Sequence, residues 1–269
     1  MKILGIDTTT KFFCLGIYDG ANPVRNTAYP NRYNLISNGA KIYEYNLEVG
    51  RMLSALLIQT IKRVLDALGW QVSDIDYFAC GLGPGSFTGM RVGLATIKGL
   101  SWAVNRPLIG ISTLDILARN VKNSNSPVVP VIDAKRNSIY CAVYKNKPRP
   151  SLKSNIALNE GRGKNGRLVR ITPYMLLNEK EFLRSIEPDS IILGDALALY
   201  KDSILKNIKR ATILERDYWY PKARNIIGLS LERIRDKKFD NPFDIKPIYL
   251  YPKECQICDT TGRPGLRLI

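Results

Sequence analysis

The sequence predicts an α/β protein built from two copies of one lobe. Three observations carry the prediction. The first part of the chain reads as strands and helices in the order β-β-β-α-β-α. After Pro107 that order restarts, and a strand–Asp–turn–strand pattern seen at the N-terminus recurs. Near the end of the first copy lies the least ordinary stretch, residues 81–104, where a glycine-rich turn runs into an almost uncharged helix.

Lys2–Asp7 opens as a strand, and Lys11–Tyr18 is a second, closed by the turn signal Asp19-Gly20. Residues 21–38 are polar and read as a loop or irregular hairpin. Lys41–Tyr45 alternates as a third strand should. Residues 48–68 place Met52, Leu53, Leu56, Leu57, Ile61, Val64 and Leu65 on one helix face, and Gly69 stops the helix. Ile75–Cys80 is the fourth strand. This is the order of an RNase-H-like lobe.

Gly83-Pro84-Gly85 forces a turn, because glycine tolerates positive φ and proline fixes its own. Ser86 is placed to cap the helix that follows. From Phe87 to Val104 only Arg91 and Lys98 are charged, and Gly89, Gly93 and Gly99 each cost about 0.8–1 kcal/mol against alanine. Three readings suit this pattern: a buried core helix, a phosphate-cradling loop without the P-loop lysine, or a helix covered by another protein.

Leu108–Ile111 reads as a strand of the second copy, and Ser112–Asp115 as a capping box opening a helix to about Val121. Pro130–Asp133 followed by Ile139–Tyr144 repeats the pattern of Leu4–Asp7 followed by Phe12–Tyr18. Residues 145–170 are strongly basic. Thr172-Pro173 is expected to start a helix. Ser190–Gly194 and Ala211–Leu214 are strands, with helices at 196–207 and 221–237. The expected lobes are residues 1–106 and 107–254, with a tail at 255–269.

Composition narrows the chemistry. Of 269 residues, 45% are apolar, enough for real cores. No apolar run approaches the ~18 residues of a membrane span. The early Asp7 breaks any signal-peptide core, so a cytoplasmic protein is expected. The formal charge of +16 favours anionic partners such as nucleic acid. Cys14, Cys80 and Cys141 read as small core residues, and Cys255 and Cys258 form one Cys-x-x-Cys without the second pair a structural zinc needs. There is no histidine, which excludes His-dependent nucleophile systems and His-ligated metals.

Gly83-Pro84-Gly85-Ser86-Phe87-Thr88-Gly89-Met90-Arg91 resembles the signature of the TsaB (YeaZ) family. So do Ile3–Thr9, Tyr220–Arg224 and Pro247–Leu250. The resemblance implies two RNase-H-like lobes of the actin, Hsp70 and sugar kinase (ASKHA) superfamily, with the helix of about 221–237 packing back near the first lobe. It implies a non-catalytic subunit of the complex that adds a threonylcarbamoyl group to adenosine 37 of tRNAs reading ANN codons. The partners implied are the catalytic paralogue TsaD, the ATPase TsaE, tRNA through the complex, and a second copy when TsaD is absent. No membrane is involved.

TsaD carries metal-ligating histidines on its first lobe, and the matching stretch here, about Asn46–Ala55, has none. Many relatives keep a His-Ser-Glu run near that point, from which this sequence departs. The expected contact residues are Met52, Leu56, Gly85, Ser86, Phe87, Thr88, Gly89, Met90, Arg91, Gly93 and Ile97, with the glycines admitting the sister protein. No cofactor is required on this reading. ATP is the one candidate, at Asp7 and Asp133, which on the alternative reading are turn-capping residues. Gly194-Asp195-Ala196 is the one candidate adenosine loop. The rival class is a free-standing ATPase or kinase of the same fold.

Overall fold

The computed structural model describes residues 1–20, 39–122, 124–147 and 167–251. The loop expected at 21–38, the middle of the basic segment and the Cys255/Cys258 pair lie outside the described residues.

The first sheet holds β1 (Lys2–Asp7), β2 (Phe12–Asp19), β3 (Lys41–Glu48), β4 (Tyr77–Gly81) and β5 (Leu108–Ile111), in the order β3-β2-β1-β4-β5. β1 pairs antiparallel with β2 and parallel with β4. β1, β2 and β4 are near-continuous apolar runs because both their faces are covered. On one face lie α1 (Leu53–Ala67) and α2 (Phe87–Ala103), sealing a core of Leu4, Ile6, Phe13, Leu57, Ile61, Phe78, Leu94 and Ile97. On the other lies α6 (Ala223–Arg235), with Ile226 over Gly5 and Ala223 over Gly16. The late helix therefore packs on the first sheet.

The second sheet is built from β6 (Val128–Lys135), β7 (Ser138–Cys141), β10 (Met175–Asn178), β11 (Ile191–Leu193) and β12 (Thr212–Ile213), in the order β10-β7-β6-β11-β12. Numbered within its own lobe, each sheet runs 3-2-1-4-5, so the repeated hairpin marks a repeated lobe. A side ladder of β8 (Tyr144–Lys147) and β9 (Arg167–Arg170) joins β6 through Val128 and Tyr144. α3 (Thr113–Ala118) lies between the two sheets in sequence, while α4 (Glu179–Ser185) and α5 (Leu197–Asn207) cover the second.

Two expectations are corrected. β5 does not begin the second copy: its four residues pair in parallel with Phe78–Gly81, so the first sheet runs on past Pro107 to Ile111. The fifth strand of such a lobe follows its second helix, and Pro107 marks only the turn between them. Thr172-Pro173 starts no helix. Thr172 Oγ1 accepts from the Val143 N–H, and Met175–Asn178 runs as a strand against Ser138–Cys141. The helix opens later, where Asn178 and Glu181 form a reciprocal capping box.

Candidate functional site

The stretch 81–104 folds as its glycines dictate, but they face inward. Ser86 caps α2, its Oγ accepting from the Gly89 N–H at 3.2 Å, and its own N–H donates to the Thr9 carbonyl at 2.7 Å. A side chain at Gly85 would collide with the Thr9 carbonyl oxygen, one at Gly89 with that of Thr8, and one at Gly93 with the Thr8 hydroxyl. Thr8 Oγ1 donates to the Gly89 carbonyl at 2.7 Å. The expectation that Gly85, Gly89 and Gly93 admit a sister protein is therefore overturned. They admit the β1–β2 turn of their own chain. Met90 and Ile97 are likewise buried in the first lobe, with the Met90 sulfur in the space a side chain at Gly83 would need.

The other face of α2 is open. Thr88, Arg91, Ala95, Gly99 and Trp102 follow at helical spacing and are all exposed, Trp102 at 70%. Nothing lies within 4 Å of a side chain built at Gly99. Phe87 is 43% exposed at the start of the helix. On α1 and the residue before it, Ile58 and Met52 are exposed, while Leu56 is half-buried against the first core. Of the expected contact residues, Phe87, Thr88 and Arg91 lie on this outward face, with Ser86 at its edge, while Met52 is exposed at the start of α1 and Leu56 is half-buried. Ala95, Gly99 and Trp102, on the same face, were not among the expected residues. The signal was present: Gly89, Gly93, Ile97 and Ser101 form one i, i+4 ridge, so the residues opposite must look outward.

Asp7 is fully buried. Its Oδ1 accepts from the Thr9 N–H at 2.8 Å and the Thr9 hydroxyl at 2.7 Å, and its Oδ2 from the Thr113 hydroxyl at 2.8 Å. Burial raises its pKa above the usual carboxylate value, against the lowering effect of those three bonds. Thr113 is the link that the sequence did not offer. It comes from the start of α3, where Ser112 makes no side-chain cap but donates to the Gly83 carbonyl at 3.2 Å. Asp115, expected in a capping box, takes the hydroxyls of Tyr144 and Tyr174 at 2.6 and 2.8 Å.

Asp133 holds the equivalent turn of the second lobe. Its carboxylate accepts from the Lys135 N–H at 2.8 Å and pairs with the Lys135 ammonium at 2.5 Å. Its own N–H donates to Asp195 Oδ1 at 3.0 Å. Burial pushes Asp195 up to about 6, with the Asp133 charge adding to the rise and the Asp133 N–H, Lys135 and Lys11 opposing it. Gly194 sits at φ +129°, and a side chain there would strike the Val131 backbone, so this glycine serves its own strand. Both Asp7 and Asp133 make the turn-capping bonds of an Asx turn.

Of the basic segment, Lys145 pairs with Glu187, Arg167 with Glu232, and Arg170 donates to the Thr172 carbonyl. Among the described residues no group of three or more His, Cys, Asp or Glu is disposed to hold a metal, and no helix is long and apolar enough to cross a membrane.

Residues 48–251 match the family model of TsaD, tRNA N6-adenosine threonylcarbamoyltransferase. The tRNA threonylcarbamoyladenosine biosynthesis protein TsaB of Bacillus subtilis strain 168 is 26% identical over 207 residues, covering 76% of this chain and 75% of that protein. TsaB of Escherichia coli K12 is 36% identical over 148 residues, 54% of this chain and 55% of that protein. The solved structure of YeaZ from Pseudomonas aeruginosa superposes with a TM-score of 0.67 at 19% identity, over 93% of this chain and all of that one.

Proposed function

Because the chain belongs to the TsaB (YeaZ) family and has the α/β fold of two RNase-H-like lobes found in the ASKHA superfamily, we propose that it is a non-catalytic partner subunit in tRNA threonylcarbamoyladenosine biosynthesis. It docks the catalytic paralogue TsaD through the outward face of α1 and α2. TsaD, joined by the ATPase TsaE, then modifies adenosine 37 of tRNAs reading ANN codons in the cytoplasm.

The observation that carries this reading is the open face of α2, with Trp102 and Phe87 exposed along the helix that presents Ala95 and Gly99, and Met52 and Ile58 exposed on the α1 side of the lobe. Small residues between large apolar ones let a second pair of helices approach closely, and a paralogue of the same fold owns an equivalent pair. An exposed apolar face of this kind marks a protein contact. Without TsaD, the same face serves a second copy of this chain. Two facts favour a supporting role. The sequence holds no histidine for metal-assisted transfer, and the Asp7 carboxylate is already bonded to Thr9 and Thr113.

The test uses Ala95→Arg and Gly99→Leu, both outward. Each is expected to weaken association with TsaD of the same organism at least ~10-fold and to lower threonylcarbamoyl transfer by the assembled TsaD and TsaE, with the fold intact by circular dichroism. Unchanged affinity in both variants places the contact elsewhere. Rapid ATP turnover by the isolated chain would favour the rival ATPase or kinase.

A further inference from the structure

Arg91 is the exposed charged residue on the outer side of α2, with the half-buried Lys98 two turns on, and its own chain holds Arg91 still. Its Nε donates to the Tyr249 hydroxyl at 2.9 Å. Its guanidinium carbon lies 3.8 Å from the centre of the Phe87 ring, and the Phe87 and Tyr249 rings are 5.5 Å apart. These contacts use one edge and one face of the guanidinium. Among the described residues, no acceptor bonds its two terminal nitrogens. The Tyr249 hydroxyl, having accepted from Arg91, still has its own proton to donate.

Tyr249 is itself fixed from both sides. Residues 240–251 run as a strap from the edge of the first sheet to the second lobe. Asp240 bridges Leu108, and Ile245 packs on the first core. The Ile248 N–H donates to the Leu82 carbonyl at 2.8 Å. Beyond Tyr249, the Tyr251 hydroxyl donates to the Ala134 carbonyl at 2.9 Å, and its ring meets Tyr140 edge-on. The strap, anchored in both lobes, therefore sets where Tyr249 stands.

We propose that Arg91, aimed by Tyr249 and Phe87, is a preorganised receptor for one carboxylate on the docked protein partner. This rests on the docking face proposed above. A guanidinium offers two parallel N–H donors that match a carboxylate, and prior fixation of the side chain reduces the entropy lost on binding. The surroundings favour a protein carboxylate over a nucleic-acid phosphate. A phosphate backbone is met by a row of cations, whereas here Arg91 and the half-buried Lys98, seven residues apart, stand among Phe87, Ala95 and Trp102. No acidic residue in the first turn of α2 competes for it. Tyr249 is then a positioning residue.

The experiment measures affinity of the full chain for TsaD of the same organism across a salt series, and for tRNA in parallel. Arg91→Gln is expected to weaken TsaD binding ~10–100-fold and to flatten its salt dependence. Arg91→Lys should restore little, because an ammonium has no fork. Tyr249→Phe keeps both rings and the charge but frees Nε, and should cost ~3–10-fold with the melting temperature nearly unchanged. If Ala95→Arg abolishes binding while Arg91→Gln leaves affinity and salt slope intact, the receptor is refuted and the docking face stands. If Ala95→Arg also has no effect, the face itself fails. If Arg91→Gln weakens tRNA binding and spares TsaD, the ligand is a phosphate and the proposal is overturned.

Discussion

The two lobes grip the same turn in different ways. In each, the segment after the fourth strand of the lobe reaches back to the first strand–turn of the lobe, at Thr8 and Thr9 in one and at Asp133 in the other. In the first lobe the grip is closed. Glycines 85, 89 and 93 let α2 settle onto Thr8 and Thr9, and Asp7 is sealed beneath hydroxyl donors. In the second lobe it is ionic and part-open. Asp195, two residues before α5, accepts from the Asp133 N–H beside the Lys135 ammonium, and the Asp133 side chain retains 12% exposure. A duplicated scaffold has thus been used twice. One copy clamps a helix hard, which leaves that helix's far side as a stiff platform. The other keeps titratable groups near the surface.

Breaking the closed grip gives the largest expected effect. Gly93→Leu drives a side chain into Thr8 and should destabilise the chain by about 3 kcal/mol or more, read by denaturant unfolding. The same change at Gly99, on the open side, should cost little stability and act on association. Equal losses at the two positions would dissolve the distinction between the faces of α2.

The ionic grip should be sensitive to pH. Asp195 has a folded pKa raised from 3.8 to about 6, so the folded chain holds a proton that the unfolded chain releases. Its contribution to stability is greatest below about pH 4 and is lost as the pH rises through about 6. Asp195→Asn keeps an acceptor for the Asp133 N–H and removes that slope. It should gain about 2–3 kcal/mol relative to the parent at neutral pH, compared with acid pH. Parallel stability–pH curves for parent and variant would refute the assignment.

Smaller changes sharpen the contrast. Thr8→Val keeps the shape of the turn but deletes the hydrogen bond to the Gly89 carbonyl, at a cost of about 1 kcal/mol. Gly99→Ala fills empty space on an exposed helix turn and should stabilise by about 0.8–1 kcal/mol, seen as a raised melting temperature. A loss there would mean that the outer face is already covered.

Much of the fold was legible because apolar periodicity is local. The strands at Lys2–Asp7 and Phe12–Asp19, the wide face of α1, and the repeated hairpin at Asp133 all declare themselves within a few residues. β10 did not, because Thr172-Pro173 imitates a helix start and only pairing with β7 decides otherwise. β5 was found as a strand but given to the wrong lobe, since membership of a sheet is a long-range fact. The candidate site divides in the same way. The glycines marked 81–104 as unusual, while what those glycines pack against was not legible.

By itself the sequence determined most of the elements, the duplication, the family and the absence of histidine, because each is written in neighbouring residues or in composition. The tertiary structure decided which way α2 faces, what Asp7 bonds, and where Tyr249 meets Arg91. Those depend on residues far apart in the chain, Thr8 with Gly93, Asp7 with Thr113, Arg91 with Tyr249. Close packing is settled by the shape of the whole lobe, and no local pattern encodes which surface a small residue is small for.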